Sequence, residues 1–168
     1  RSKPFSGKQY SLAHRSGLCP TSLKMDEQLI LAIDTSTAAC TAALFDAAGD
    51  CIGRRDELIG REQTERLVLL LDELLAGRRA ETILVGVGPG SFTGIRVGLA
   101  AAHGLAIGWG AEVCGMSSLA LLASASPHSG AVAAAMQGGH GELFVQQIGQ
   151  DLGPETPLLN LAAREAAS

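Results

Sequence analysis

Aromatic side chains are scarce in this 168-residue chain, at 4% of its residues. Its core therefore has to come from small aliphatic side chains packed closely, without ring bulk. Lysine is absent after residue 24, which excludes a Gly-Lys-Ser/Thr phosphate loop. Cys19, Cys40, Cys51 and Cys114 show neither Cys-x-x-Cys spacing nor a His-x-x-x-His companion, so no zinc site is expected. There is no Gly-x-Ser-x-Gly elbow for a serine nucleophile. His103, His128 and His140 each stand apart from any Ser, Cys or acid at a triad-like spacing, and Glu142 lacks an acidic mate. No apolar run reaches membrane-spanning length without a Gly, a His or a charge. The default is a soluble cytoplasmic protein with no membrane partner.

What is present is unevenly charged. Residues 1–24 carry Arg1, Lys3, Lys8, Arg15 and Lys24 and no acid, whereas all 17 acids lie beyond them, against arginines alone. Met25 directly precedes the first strand-like run. Residues 1–24 read as a leader or tag outside the fold, without the apolar stretch of a signal peptide; a transit peptide is the alternative. The acidic body does not offer the clustered cations that non-specific nucleic-acid binding requires, so in a nucleic-acid pathway something else is expected to hold the nucleic acid. The length suits one domain, or one domain with part of a second.

Along the chain, Leu29–Ile33 is an apolar run ending at Asp34 and reads as a buried strand. Ala39–Phe45 and Cys51–Leu58 follow as strands around the turn Asp46–Asp50. Leu67, Leu70, Leu71, Leu74 and Leu75 then fall at helical spacing, stopping near Gly77. Thr82–Val87 is a fourth strand, a glycine turn leads into a second helix, and Glu112–Gly115 is a short fifth strand. Ser117 or Ser118 is placed to cap a helix over Leu119–Ala123. The stretch 126–130, Ser-Pro-His-Ser-Gly, is the best boundary. Beyond it Ala131–Met136 and Glu142–Ile148 read as strands, and 151–168 is weakly patterned. An antiparallel start followed by alternating helix and strand departs from the βαβ opening of a dinucleotide-binding fold. It fits an α/β, ribonuclease-H-like or actin-like mixed sheet with helices on both faces. The expected organisation is a leader over 1–24, an N-terminal lobe over 25–126, and the start of a reduced or incomplete second lobe over 127–168.

Three features could carry function. Asp34-Thr35-Ser36 at the end of a strand sets a carboxylate beside two hydroxyls, which could hold a magnesium–nucleotide or could satisfy its own turn. Gly88, Gly90 and Ser91 sit between a strand and a helix start, where backbone N–H groups attract anions. The nearest cation is Arg96, and the same residues could equally form a tight turn with Ser91 or Thr93 as N-cap. Third, Gly94, Gly98, Ala101, Ala102 and Leu105 make a smooth helical stripe. Glycine in a helix costs up to about 1 kcal/mol against alanine, and the usual return is close approach of another backbone, in this chain or in a partner.

The stretches 31–37, Leu-Ala-Ile-Asp-Thr-Ser-Thr, and 88–98, Gly-Pro-Gly-Ser-Phe-Thr-Gly-Ile-Arg-Val-Gly, strongly resemble the TsaB (YeaZ) family, over about 29–148. The resemblance implies an actin-like (ASKHA) fold and kinship with the threonylcarbamoyl transferase TsaD. It implies a non-catalytic scaffold role, beside a TsaD-like transferase and a TsaE-like ATPase, in making threonylcarbamoyladenosine in tRNA. Pairing would run through the helices around the Gly-Ser-Phe-Thr-Gly segment, at Phe92, Gly94, Ile95, Arg96, Gly98, Leu99 and Ala102, with a homodimer when the chain is alone. On this reading no cofactor is bound by the chain itself, ATP and magnesium belong to the complex, and Asp34, Thr35, Ser36, Gly88, Gly90 and Ser91 are a vestigial nucleotide contact. Gly98→Leu is then expected to abolish pairing and leave the monomer folded. Older labels would make the protein a glycoprotease, which no residue spacing supports; a stand-alone actin-like ATP-binding enzyme is the rival. Two stretches depart from the family. Gln63 stands where a histidine is usual. The 136–144 stretch, Met-Gln-Gly-Gly-His-Gly-Glu-Leu-Phe, lacks the Asp and Arg of the family's Ile-Asp-Ala-Arg-x-Gly-Glu-Val-Tyr. The chain is also shorter than the family's usual second lobe requires.

Overall fold

The computed structural model describes residues 28–59, 63–138 and 141–162, with the side chains of Gln63 and Thr64 left aside. The basic segment 1–24, Cys19 and His140 lie outside the described residues, as does the side chain of Gln63.

The first three strands are β1 (Ile30–Asp34), β2 (Ala39–Phe45) and β3 (Cys51–Leu58). Helix α1 (Gln63–Leu75) leads to β4 (Thr82–Gly86), helix α2 (Phe92–Trp109) and β5 (Glu112–Met116). Together the strands form one mixed sheet in the order β3-β2-β1-β4-β5. β1 pairs antiparallel with β2, Ile33 opposite Ala42, and parallel with β4, Ile33 opposite Val85. This is the actin-like core read from the sequence.

Alternation in the strands decides where the core lies. Leu31 and Ile33, Cys40, Ala42 and Leu44, and Ile83 and Val85 all point to one face and are buried there. On that face they meet Leu67, Leu70, Leu71, Leu74 and Leu75 of α1 and Ala102 and Ala106 of α2. A fully buried leucine or isoleucine contributes about 1.5–3 kcal/mol, so this single cluster supplies most of the apolar driving force. Cys40 belongs to it: burial first, then the nearby Glu57 carboxylate, push its thiol up to about 11. It stays neutral and packs as a small apolar group.

Both long helices lie on that same face and touch each other; the expectation of helices on both faces is corrected to this extent. The third helix, α3 (Ser118–Ser124), packs instead on a second sheet. That sheet is antiparallel, in the order β6 (Val132–Gln137), β7 (Glu142–Ile148) and β8 (Leu159–Ala162). Leu119 and Ala123 are buried there with Ala134, Met136 and Ile148, so α3 has its apolar partners across the 126–130 stretch. Strand β8 was not read from the sequence. Its four residues, Leu-Asn-Leu-Ala, lie just after Pro154 and Pro157 and are too few to show a period.

The helix ends follow their chemistry. Ser91 caps α2, its Oγ accepting from the Gly94 N–H, and Gly110 at φ 70° closes the helix in the left-handed region. Ser117 caps α3 by accepting from the Ala120 N–H. At the end of α1, Arg78 folds back so that its guanidinium donates to the Leu74 and Leu75 carbonyls, 3.0 Å each.

Candidate functional site

The structure brings the two turn motifs together at the top of β1 and β4, where they hold each other. The Asp34 carboxylate accepts from the Ser36 N–H (2.6 Å) and from the Ser118 hydroxyl (3.2 Å). The Thr35 hydroxyl donates to the Gly94 carbonyl inside α2 (2.7 Å). The Ser91 N–H donates to the Ser36 carbonyl (2.6 Å), and the Ser118 N–H to the Gly88 carbonyl (2.9 Å). Asp34, Thr35, Ser36, Gly88, Gly90 and Ser91 are thus one junction, tying the first strand to the starts of both later helices.

Its glycines leave no cradle. A Cβ on Gly86 would lie 2.5 Å from Asp34 Oδ2. One on Gly88 would lie 2.7 Å from Ile95 Cδ1. One on Gly90 would overlap the Ser36 carbonyl. Gly88 and Gly90 also have φ of 90° and 155°, which suit glycine. The Gly88–Pro89 peptide is cis. Space that a ligand would take in a phosphate loop is filled here by Asp34, Ser36 and Ile95. The Asp34 carboxylate, the Thr35 hydroxyl and the Ser91 N–H, which could face a magnesium–nucleotide, each have a partner within the chain. The Ser36 hydroxyl is buried with no hydrogen-bond partner among the described residues.

Helix α2 rises from this junction with two unlike faces. Gly94, Gly98, Ala102 and Ala106 are buried. A Cβ on Gly98 would lie 2.5 Å from Thr35 Oγ1 and 3.7 Å from Val85. The stripe that the sequence offered to a partner at Gly94, Gly98 and Ala102 therefore faces inward: Gly98 meets the side chains of Thr35, just after β1, and of Val85 in β4. Leu99 and Ile95 are half-buried, and only Phe92 and Arg96 of the expected interface are exposed.

The outward face carries a second small-residue row, Ala100, Gly104 and Gly108, all exposed. Among the described residues nothing lies within 4 Å of a Cβ built on Gly104 or Gly108. Beside this row runs the furrow between α1 and α2, opening into two depressions of about 460 and 390 Å³. The depressions are floored by Leu67, Leu71, Leu75, Val97, Ala101 and Leu105. Val68 on its α1 side is 64% exposed and Phe92 at its upper end 67%. The guanidinium of Arg96 sits 3.7 Å from the centre of the Phe92 ring. Val68, Ala100 and Gly104 were missed in the sequence. A signal existed, since Ala100, Gly104 and Gly108 recur every four residues, but the row at 94–106 has the same spacing and overshadowed it.

The charged pairs among the described residues lie elsewhere. Arg66 donates to Glu57 in a two-pronged pair at 2.6 and 2.7 Å. That pairing is the main reason the Glu57 carboxyl titrates below its usual range, burial opposing it. Among the described residues no three His, Cys, Asp or Glu side chains gather as a metal-ligand set. No described helix is long and apolar enough to cross a membrane.

A family profile described as "TsaD: tRNA N6-adenosine threonylcarbamoyltransferase" matches residues 53–157. The chain is 38% identical over 107 residues to the tRNA threonylcarbamoyladenosine biosynthesis protein TsaB of Haemophilus influenzae, covering 61% of this chain and 44% of that protein. To the protein of the same description from Escherichia coli K12 it is 35% identical over 130 residues, covering 73% and 55%. The chain thus spans about half the length of these curated relatives. Among solved structures, YeaZ from Pseudomonas aeruginosa superposes with a TM-score of 0.72 at 30% identity, covering 80% of this chain and 68% of that one.

Proposed function

Because the chain belongs to the TsaB (YeaZ) family, we propose that it is a non-catalytic subunit in the synthesis of threonylcarbamoyladenosine in tRNA. A TsaD-like transferase docks on the outer face of α1 and α2, a TsaE-like ATPase joins the assembly, and tRNA is held by the partners. The observation that carries this reading is the open apolar furrow between the two helices, with Phe92 exposed at its upper end and Val68 and Gly104 exposed along its sides. An apolar strip flanked by small residues lets another helix approach closely. Glycine at positions 104 and 108 weakens α2 by up to about 1 kcal/mol each and nothing among the described residues makes use of it. The names of the relatives supply the pathway; the acidic body supports the indirect tie to tRNA.

The chain itself binds no nucleotide on this reading, and ATP and magnesium enter with the partners. What supports this is the closed junction at Asp34 and Gly88. One observation favours the rival, a stand-alone nucleotide-binding enzyme: the unpartnered hydroxyl of Ser36. Calorimetric titration of the purified chain with Mg-ATP separates the two. The scaffold reading expects no saturable heat; micromolar binding that Asp34→Ala removes would replace it with the rival.

A further inference from the structure

The described part of the chain holds six arginines, and they divide sharply. Arg54 pairs with Asp56 at 2.9 Å, Arg55 with Glu73 at 3.7 Å and Arg66 with Glu57 at 2.6 Å. The other three, Arg78, Arg79 and Arg96, all line the α1–α2 furrow, and none has a carboxylate partner among the described residues. In a body where acids outnumber arginines two to one, this concentration of unpaired cations on one apolar surface stands out.

Their placement is ordered. α1 leads directly into β4 and α2 leaves it, so the two helices run parallel. Arg96 then marks the N-terminal end of the furrow and Arg78 and Arg79 the C-terminal end, with the apolar floor between. Arg78 is occupied with the α1 carbonyls. Arg96 is braced on the Phe92 ring, which holds its planar fork in one region while leaving its donors free. Covering the furrow would take these guanidinium groups out of water. A buried cation without a counter-charge is strongly penalised, so a tight occupant has to bring carboxylates to both ends.

We infer that the α1–α2 furrow selects a protein face bearing carboxylates on either side of an apolar strip, with Arg79 and Arg96 as the selecting residues. This rests on the docking reading above and states its chemistry. A second copy of the chain is a poor match. Asp72 is the one carboxylate lining the furrow, against three arginines. In a two-fold pairing of parallel helices, either like ends meet or opposite ends do, and both ends are basic. Charge arranged in this way sets partner choice more than raw affinity.

The test is calorimetric titration of the chain with the purified TsaD-like transferase of the same organism, at low and high salt, with melting curves on every variant. Arg79→Glu and Arg96→Glu are each expected to melt as wild type, to weaken binding about tenfold or more at low salt, and to flatten its salt dependence. Arg79→Lys and Arg96→Lys should keep most of the binding, and Arg54→Glu, outside the furrow, all of it. If wild type binds and the two reversals bind equally well with the same salt dependence, the inference fails and the docking reading stands. A self-dimer as tight as the complex, by sedimentation, would make a second copy the occupant and also overturn it. If wild type does not bind the transferase at all, the docking reading itself falls and takes the inference with it.

Discussion

The two faces of α2 look alike in the sequence and differ in everything else. On the inner face, Gly98 is glycine because Thr35 occupies the place of its Cβ, and Thr35 is there because its hydroxyl reaches the Gly94 carbonyl. On the outer face, Gly104 and Gly108 have open space where a Cβ would be. The inner row is accounted for by the fold. The outer row is not, and it lies beside an apolar furrow with unpaired arginines at its ends. Small size at a helical position is thus a packing device in one place and an unspent allowance for contact in the other.

The largest expected effect breaks the inner face. Gly98→Leu places a full side chain into Thr35 and Val85, and overpacking of a tight site costs about 1–3 kcal/mol, occasionally more. Thr35 and Val85 are themselves buried and have little room to give way, so a clearly lowered urea midpoint is expected. A wild-type transition would undo the assignment of this row to the core. Gly104→Ala sharpens the contrast from the other side. It relieves the glycine cost without meeting anything, so the monomer should gain up to about 1 kcal/mol. A destabilised Gly104→Ala would reveal a neighbour that the fold does not show.

The smallest effect separates paired from unpaired arginines. Hydrogen bonding to Arg66 lowers the Glu57 carboxyl from its ordinary value of 4.5. The pair therefore adds stability above that ordinary value and loses it as pH falls through the lowered one. Both groups are partly exposed, so the contribution is small and weakened by salt. Acid melting curves should show a shallow loss below about pH 4.5 that Arg66→Gln removes. Arg79→Gln and Arg96→Gln should leave the curve unchanged; a shift in either would mean a hidden acidic partner for a furrow arginine.

How far the sequence could be read follows from the same comparison. β2 and β3 run over the residues their patterns predicted, Ala39–Phe45 and Cys51–Leu58, because the burial of alternate residues needs only local information in β2 and turn chemistry sets the ends of both. The Leu67–Leu75 face and the Ser91 and Ser117 caps were equally local. The junction was found residue by residue, but its meaning was not. Nothing in Asp34-Thr35-Ser36 shows that its donors and acceptors are met by Ser118, Gly94 and Ser91, which are 55–84 positions away in the chain. The inward or outward direction of the α2 rows was likewise unreadable, since a period near four fits both and only the sheet breaks the tie. β8 lay below any threshold of pattern. The family motif identified the relatives without saying which face of the motif's own helix meets a partner.

The most direct test of the central claim is the affinity of the chain for the TsaD-like transferase of the same organism, measured for wild type and for Gly104→Leu, with each monomer's melting temperature beside it. The account predicts that Gly104→Leu melts within a few degrees of wild type, because its side chain enters open space, and that complex formation is lost. Undiminished binding by a folded Gly104→Leu would contradict it, and the outer face of α1 and α2 would no longer be the docking surface.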